Sequence, residues 1–184
     1  MAQGKVDQKS VKKTLHTIGY EGALLADFVA TLVVAGVSHL VDVRELPISR
    51  RKGFAKTALS EALGRAGIEY IHLKGLGDPK EGREAARAGD MATFKRVFTG
   101  HMKTKAALHD LERACEIVQI GNACLMCYER SPSDCHRSIV AKKISDLSEV
   151  VVTHLGVRHG SAKNDRKVGK GARLNSSQGV AARR

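Results

Sequence analysis

Residues 122–144 read NACLMCYERSPSDCHRSIVAKKI, which combines an apolar run, a short polar turn and an amphipathic segment. The apolar run at 122–128 has the length of one buried strand. Ser131 and Pro132 are the residue types of a helix N-cap and a first helical residue, and Asp134 adds negative charge to the first turn. The stretch therefore predicts a buried strand and then a helix that begins at Ser131. The first two turns of this helix carry three side chains suited to binding or catalysis: Cys135, His136 and Arg137.

The rest of the chain alternates short apolar runs with segments of helical periodicity. Further strands are predicted at 15–20, 39–44, 69–73 and 149–155. Residues 74–90 hold four glycines and are predicted to form a long functional or mobile loop. The order β-α-β-α-β-α-α-β-α-β predicts an α/β domain, in which a mostly parallel five-stranded sheet has helices on both faces in three α/β/α layers.

The net charge is unevenly placed along the 184 residues. The chain carries +12, of which residues 1–13 supply +3 and residues 157–184 supply +7. We therefore divide the chain into a basic flexible N-terminus at 1–13, a single α/β domain at 14–156 and a basic disordered tail at 157–184. Such a tail either holds nucleic acid through phosphate contacts or is a solvated, solubilising end.

The sequence carries no sign of export or of membrane insertion. The first 13 residues, MAQGKVDQKSVKK, are charged and contain no apolar signal segment. No run approaches the ~18 apolar residues that a membrane span requires. We expect a cytoplasmic protein with no membrane partner, in which the four cysteines are reduced rather than disulfide-bonded.

Polar side chains stand at the carboxyl end of every predicted strand. Parallel strands bring these ends to one rim of the sheet, which is where open α/β sheets bind ligands. The residues concerned are Tyr20 and Glu21, Asp42 and Arg44, His72 and Lys74, Tyr128 and Glu129, and His154. This rim is the predicted functional site.

Four motifs follow one another along the chain. They are T-I-G-Y-E-G at 17–22, L-V-D-V-R-x-x-P-x-S-R at 40–50 with G-F at 53–54, L-x-G-L-G at 73–77, and C-Y-E-x5-C-H-R at 127–137. The series resembles the bacterial family called domain of unknown function 488, over residues 14 to about 147. The resemblance implies a compact α/β domain and supplies no substrate. It marks as signature positions Tyr20, Asp42, Arg44, Ser49, Arg50, Cys127, Glu129, Cys135, His136 and Arg137.

The chain departs from the family's pattern directly after Gly77, where Asp78 replaces an expected glycine. This change falls in the segment predicted to cover the rim. We therefore expect the part of the chain that closes the site to differ from that of other family members.

Anion binding is the first chemistry that the rim predicts. Guanidinium groups and the free N–H groups of a helix N-terminus both suit phosphate or carboxylate. The cationic side chains that can converge there are Arg44, Arg50, Arg51, His136 and Arg137. Glu129 and Asp42 would orient two of the arginines. Alternatively, Glu129 pairs only with Arg137, and Asp42 only with Arg44.

Thiol chemistry is the second possible activity of the predicted rim. Positive charge and the helix N-terminus would lower the pKa values of Cys127 and Cys135, and His136 could act as a base. The alternative is that both cysteines are ordinary buried core residues. Cys124 and Cys127 match a redox C-x-x-C by count, but residues three apart in a strand point to opposite faces, so no redox pair is expected.

Metal binding is the third possible activity of the predicted rim. Cys127, Cys135 and His136 are zinc-type ligands, with His154 or His72 as a fourth. Adjacent residues on a helix diverge by about 100°, which makes joint ligation by Cys135 and His136 awkward. We therefore predict no metal and no other cofactor.

Two functions remain open. The first is an enzyme that acts on a phosphate-bearing substrate such as a nucleotide or nucleic acid, with His136, Glu129 and Cys127 as catalytic candidates. The predicted substrate-binding residues are Tyr20, Asp42, Arg44, Ser49, Arg50, Cys135 and Arg137. The second is a non-catalytic module that binds a small anionic ligand or nucleic acid. If the protein is an enzyme, we expect an ionisable rim residue without a salt-bridge partner. If it is a binding module, we expect every acid at the rim to be paired already.

Overall fold

The computed structural model describes residues 13–162. Five strands are present: β1 (Thr14–Gly19), β2 (His39–Asp42), β3 (Glu69–His72), β4 (Ala123–Cys127) and β5 (Val151–Leu155). The helices are α1 (Leu25–Val34), α2 (Lys56–Gly64), α3 (Lys80–Arg87), α4 (Met91–His101), α5 (Lys105–Ile120) and α6 (His136–Ser148), with a single 3₁₀ turn at Lys74–Leu76. The five predicted strands are confirmed.

All five strands run parallel in one sheet, in the order β3-β2-β4-β1-β5. β4 is the central strand, and all five of its residues are buried. β1 and β2 are parallel, as a β-α-β unit predicts, but β4 lies between them. The sheet therefore brings the carboxyl ends of β1, β4 and β2 side by side.

Helices cover both faces of the sheet, which confirms the three-layer α/β/α architecture. On one face, Phe28 of α1 and Leu59 of α2 belong to the same buried cluster as Met126 of β4. On the other face, Val140 of α6 belongs to a cluster with Leu125. Neighbouring residues of β4 join opposite layers because side chains alternate along a strand.

The same alternation separates Cys124 from Cys127. Cys124 lies in the layer of α1 and α2, whereas Cys127 lies in the layer of α5 and α6. The prediction that this C-x-x-C forms no redox pair is confirmed.

The start of α6 differs from the prediction. Cys135, not Ser131, holds the N-cap position, and its backbone is extended with φ −130° and ψ 137°. The Ser131 hydroxyl lies 2.7 Å from that of Ser133, which donates to the Asp134 carboxylate at 3.0 Å. These short polar side chains satisfy one another within a turn instead of capping a helix.

The segment 74–90 is not a simple loop, since it contains the 3₁₀ turn and α3. Gly82 is the one buried residue of α3, so the helix has no apolar face that periodicity could reveal. Within residues 13–162, no helix has the length and apolar character needed to cross a bilayer.

The two predicted basic ends lie almost entirely outside the described residues. The described start of the C-terminal segment contacts α1, because the amides of Gly160 and Ala162 each donate to the Asp27 carboxylate at 3.0 Å.

Candidate functional site

A cavity of about 960 Å³ opens where the carboxyl ends of β1, β2 and β4 meet the residues of α3 and α4. Most of the predicted site residues line it: Tyr20, Arg44, Ser49, Arg50, Cys127, Glu129 and His136. Asp42, Cys135 and Arg137 do not line the cavity and lie behind its wall, fully or almost fully buried. The rim predicted from the strand ends is therefore concave. Tyr128 at the end of β4 also lines it, whereas Glu21, His72, Lys74 and His154 of the predicted rim do not.

Asp42 and Arg44 form a buried ion pair at the end of β2. The Asp42 carboxylate is fully buried and lies 2.6 Å from the Arg44 Nη2 atom. Arg44 also donates to the Tyr20 hydroxyl at 2.9 Å and to the Phe54 carbonyl at 3.0 Å. The Tyr70 hydroxyl donates to Asp42 at 2.6 Å, and burial together with this carboxylate raises the pKa of Tyr70. Asp42 therefore pairs with Arg44, as the alternative to the anion-binding prediction stated.

This ion pair fixes the aromatic wall of the cavity. The Tyr20 ring stacks on that of Phe54 with a centroid separation of 4.4 Å and an interplanar angle of 9°. The Tyr128 ring meets the Tyr20 ring edge-on at 5.4 Å. Arg44 therefore acts as a scaffold that holds Tyr20 in place, with most of its donors already used.

Arg137 occupies a different place from the one predicted. Its side chain is 1% exposed, and its guanidinium donates to the main-chain carbonyls of Glu129 and Arg130. Among residues 13–162, no ion pair joins Arg137 to the Glu129 carboxylate. Arg137 thus holds the turn after β4, and the structure does not bring it to the cavity.

Cys127, Glu129 and His136 meet at the base of the cavity. The Cys127 thiol donates to the Glu129 Oε2 atom at 3.2 Å, and its sulfur lies 3.7 Å from the His136 Nδ1 atom. The other ring nitrogen of His136, Nε2, donates to the Val43 carbonyl at 2.7 Å. These contacts give His136 a fixed ring orientation.

The electrostatics of this group differ from the expectation of a reactive thiolate. Burial raises the pKa values of both Cys127 and Cys135, the opposite of the predicted direction. Burial also opposes protonation of His136, but Cys135, the Val43 carbonyl and Asp78 outweigh it and raise the pKa of His136 to about 9. Raised pKa values favour the protonated thiols, which is the opposite of the activation that a cysteine nucleophile requires.

The structure overturns the argument that Cys135 and His136 diverge. Cys135 precedes the helix with an extended backbone, so the 100° helical step does not apply to the pair. One ligand atom from each of Cys127, Cys135 and His136 lies within 4.8 Å of the others. The proposed fourth ligands lie elsewhere: His154 contacts the Thr17 hydroxyl, and His72 donates to the Arg44 carbonyl. These three side chains could hold a metal ion.

Asp78 is the site residue that the sequence reasoning missed. Its side chain lines the cavity and is 5% exposed, and its Oδ1 atom is buried without a hydrogen-bond partner among the described residues. Burial, with a contribution from Glu129, raises its pKa to about 6 against the opposing effects of His136, Arg83 and His101. A Cβ atom at Gly82 would lie 2.2 Å from this Oδ1, so α3 accommodates the carboxyl group only because residue 82 is glycine.

Arg83 was also missed. It lines the cavity from α3 and donates to the Glu45 carboxylate and to the Asp78 carbonyl. The departure from the family pattern at Asp78 was the one feature of the sequence that pointed to this segment as part of the site. The polar composition of α3 concealed that it packs over the rim.

The cavity has a charged part and an apolar part. Five arginines line it: Arg44, Arg50, Arg51, Arg83 and Arg87. Arg50 and Arg87 are exposed and have no acidic partner among residues 13–162. The apolar lining consists of Leu46, Ile48, Ala86, Met91 and Phe94. The cavity can therefore receive a molecule that joins an anionic group to an apolar body.

A family model described as "Domain of unknown function DUF488" matches residues 25–144. The chain belongs to this family. The match contains every predicted catalytic and substrate-binding residue except Tyr20, and it also contains Asp78 and Arg83. The family defined by this model thus shares the segment that forms most of the cavity. No curated protein and no solved structure matches the chain.

Proposed function

We propose that this DUF488 protein is an enzyme that acts on a phosphate-bearing substrate such as a nucleotide or nucleic acid. Its cavity at the carboxyl edge of the sheet binds the substrate, and Asp78 transfers a proton during the reaction. The observation that carries the proposal is the Asp78 carboxyl group, which faces an arginine-lined cavity and leaves one buried oxygen without a partner among the described residues.

The pairing of the acids supports catalysis over simple binding. Asp42 pairs with Arg44, Glu45 pairs with Arg83, and Glu129 accepts a bond from the Cys127 thiol. Asp78 forms no ion pair with any described residue. A module that only binds anions gains nothing from a buried, unpaired carboxyl group, because the group is costly to bury and repels the ligand when ionised.

The pKa of Asp78, at about 6, supports a role in proton transfer. A general acid or base works best when its pKa lies near the working pH, because both protonation states are then accessible. An unperturbed aspartic acid is almost entirely ionised at neutral pH.

The lining of the cavity supports the substrate class. Arg50 and Arg87 have no acidic partner among the described residues and are free to meet a phosphate group. Tyr128, which is 43% exposed, offers a surface on which a flat apolar group such as a nucleobase can pack, and the almost fully buried Phe94 adds apolar lining.

The test combines binding and turnover for the full chain. Nucleoside phosphates and short single-stranded RNA and DNA are screened for binding by thermal shift and for product by ³¹P NMR and mass spectrometry. For any substrate found, Asp78→Asn should bind at least as tightly as the parent, because it removes a charge that repels the anion, and should lower kcat at least ~100-fold, as expected for loss of a general acid or base. An Arg50→Gln, Arg87→Gln double variant should instead weaken binding.

Asp146→Asn is the matched control, since Asp146 is exposed on α6 and its ion pair with Lys142 lies outside the cavity lining. Its turnover should equal that of the parent. Tight binding of a nucleotide with no product, unchanged in Asp78→Asn, would contradict the catalytic proposal and favour the non-catalytic anion-binding module.

A further inference from the structure

The two buried thiols and the buried imidazole at the base of the cavity have the spacing of a metal site. One ligand atom each from Cys127, Cys135 and His136 lies within 4.8 Å of the other two, and the Cys127 sulfur is 3.7 Å from the His136 Nδ1 atom. A tetrahedral Zn²⁺ ion with bonds of about 2.3 Å to sulfur and about 2.0 Å to nitrogen places neighbouring ligand atoms roughly 3.6 Å apart. The observed separation is close to this value.

The orientation of His136 is a second, independent observation. Its Nε2–H group donates to the Val43 carbonyl at 2.7 Å, so when the ring is neutral its lone pair lies on Nδ1. The Cys127 sulfur lies 3.7 Å from Nδ1 and 3.9 Å from Nε2. Metal-ligating histidines almost always donate the other ring N–H to a carbonyl or carboxylate in this way. The bond to Val43 therefore sets the tautomer that a metal requires.

The surroundings leave one side of the cluster open. Cys127 and His136 line the cavity, whereas Cys135 closes the cluster from behind. The Glu129 Oε2 atom lies 3.2 Å from the Cys127 sulfur, on the cavity side of the group. A metal held by three protein ligands with a fourth position facing a substrate cavity has the arrangement of a catalytic rather than a structural zinc site.

We propose that Cys127, Cys135 and His136 bind one Zn²⁺ ion, with the fourth coordination position facing the cavity beside Glu129. Binding releases one proton from each thiol and the second ring proton of His136 to solvent, so the two thiolate charges balance the charge of the ion. Two thiolates and an imidazole favour zinc over the oxygen-preferring Mg²⁺ and Ca²⁺. The site stands independently of the catalytic proposal, because the ion is bound by the chain alone.

The test uses the reduced full chain, without an affinity tag and stripped of metal with a chelator. Titration with CoCl₂ should give tetrahedral d–d bands and a thiolate-to-cobalt charge-transfer band that saturate at one ion per chain. Added ZnCl₂ should then abolish both signals. Cys127→Ser and Cys135→Ser should each remove the charge-transfer intensity of one thiolate and weaken Zn²⁺ binding at least tenfold.

Two cysteines provide matched controls. Cys115 is half-buried on α5, and Cys124 faces the opposite layer of the sheet, so Cys115→Ser and Cys124→Ala should bind Co²⁺ as the parent does. X-ray absorption at the zinc edge of the parent requires no variant to fold. It should show two sulfur ligands at about 2.3 Å and nitrogen or oxygen ligands at about 2.0–2.1 Å.

The proposal is overturned if the parent binds no Zn²⁺ or Co²⁺ at micromolar concentrations, or if its zinc spectrum contains no sulfur shell. Binding that survives in both cysteine variants would also place the ion elsewhere. If the chain binds zinc but turns over no phosphate substrate, the metal-site proposal is supported and the proposed enzymatic function is contradicted. The converse result, turnover without metal binding, would overturn the metal site alone.

Discussion

Replacing Asp78 with asparagine should stabilise the fold at neutral pH and leave it unchanged in acid. The pKa of the carboxyl group rises from its ordinary value of 3.8 to about 6 on folding, chiefly because of burial. The folded state therefore holds this proton more tightly than the unfolded chain, and the stability that the group contributes is lost as the pH rises through about 6. An asparagine side chain at this position would carry no charge and would escape this loss.

The size of the effect follows from the pKa difference. Each pKa unit corresponds to about 1.4 kcal/mol, so a shift of about two units sets an upper bound of about 3 kcal/mol. The carboxyl group faces a cavity open to solvent, which screens part of this effect, and we expect about 1–2 kcal/mol. The charged and titratable groups that act on it are His136, Arg83, Glu129 and His101.

The assay is urea denaturation of parent and variant from pH 4 to pH 8, at constant ionic strength and with a chelator present. The quantity of interest is the free energy of unfolding of Asp78→Asn minus that of the parent. It should be small at pH 4, just above the ordinary pKa of 3.8, and reach its full value by about pH 7.5. Asp134→Asn removes an exposed carboxylate from the lining of the same cavity, so its difference from the parent should show no such rise.

A difference that is flat with pH would mean that the buried oxygen of Asp78 finds a partner in solution. A difference that falls as the pH rises would mean that the ionised form is stabilised by the arginines of the cavity. Either result would refute the reasoning that burial dominates this group.

Three further substitutions test the framework of the site, each by urea denaturation. Asp42→Asn should destabilise the fold by about 3–5 kcal/mol, because it leaves the buried Arg44 guanidinium without its counter-charge. Gly19→Ala should cost about 1–3 kcal/mol, because the new Cβ would lie 1.9 Å from the Glu129 carbonyl oxygen. Arg137→Ala should cost about 3 kcal/mol through two lost charge-assisted bonds, whereas Arg137→Lys should restore part of it and leave sulfate binding unchanged.

Each of these three predictions can be contradicted by a specific result. Gly64→Ala is the control for Gly19→Ala, since a Cβ there meets nothing within 4 Å, and it should be neutral or slightly stabilising. Equal stability of the two alanine variants would show that the turn after β4 is free to move. Parent-like stability of Asp42→Asn would mean that its ion pair is not needed for the fold. Loss of sulfate binding in Arg137→Lys would mean that Arg137 binds the anion, as first predicted.

The strands were predictable because each is a short run that contains apolar residues between polar segments. The central strand β4 is wholly buried, whereas the edge strands β3 and β5 are partly exposed. The ligand edge followed, since parallel strands must end together, and it brought Tyr20, Arg44 and Glu129 to one cavity as expected. What the strand ends could not show was side-chain direction. Arg137 follows His136 directly, yet it turns toward main-chain carbonyls rather than the cavity.

The remaining errors come from segments without hydrophobic periodicity. No apolar side chain of α3 is fully buried, so hydrophobic periodicity did not reveal the helix, and Asp78 and Arg83 were missed with it. The available signal was helix propensity, since Lys, Glu, Arg and Ala dominate the segment. The start of α6 was misplaced because Ser131 and Asp134 are good capping residues that here bond within their own turn. That displacement made Cys135 an extended residue and brought its sulfur near Cys127 and His136.

The central position of β4 also bears on how the protein is synthesised. About 80 residues separate the end of β2 from the start of β4. At ~5–20 residues per second, a ribosome needs on the order of 4–16 s to make them. Throughout this interval β1 has no neighbouring strand, because within residues 13–162 it pairs only with β4 and β5, and its apolar Leu15 and Ile18 have no completed sheet to join. A nascent chain that stalls before residue 123 therefore presents an unpaired, apolar strand to chaperones and proteases, whereas release of residues 123–127 joins β1 to β2 in a single step.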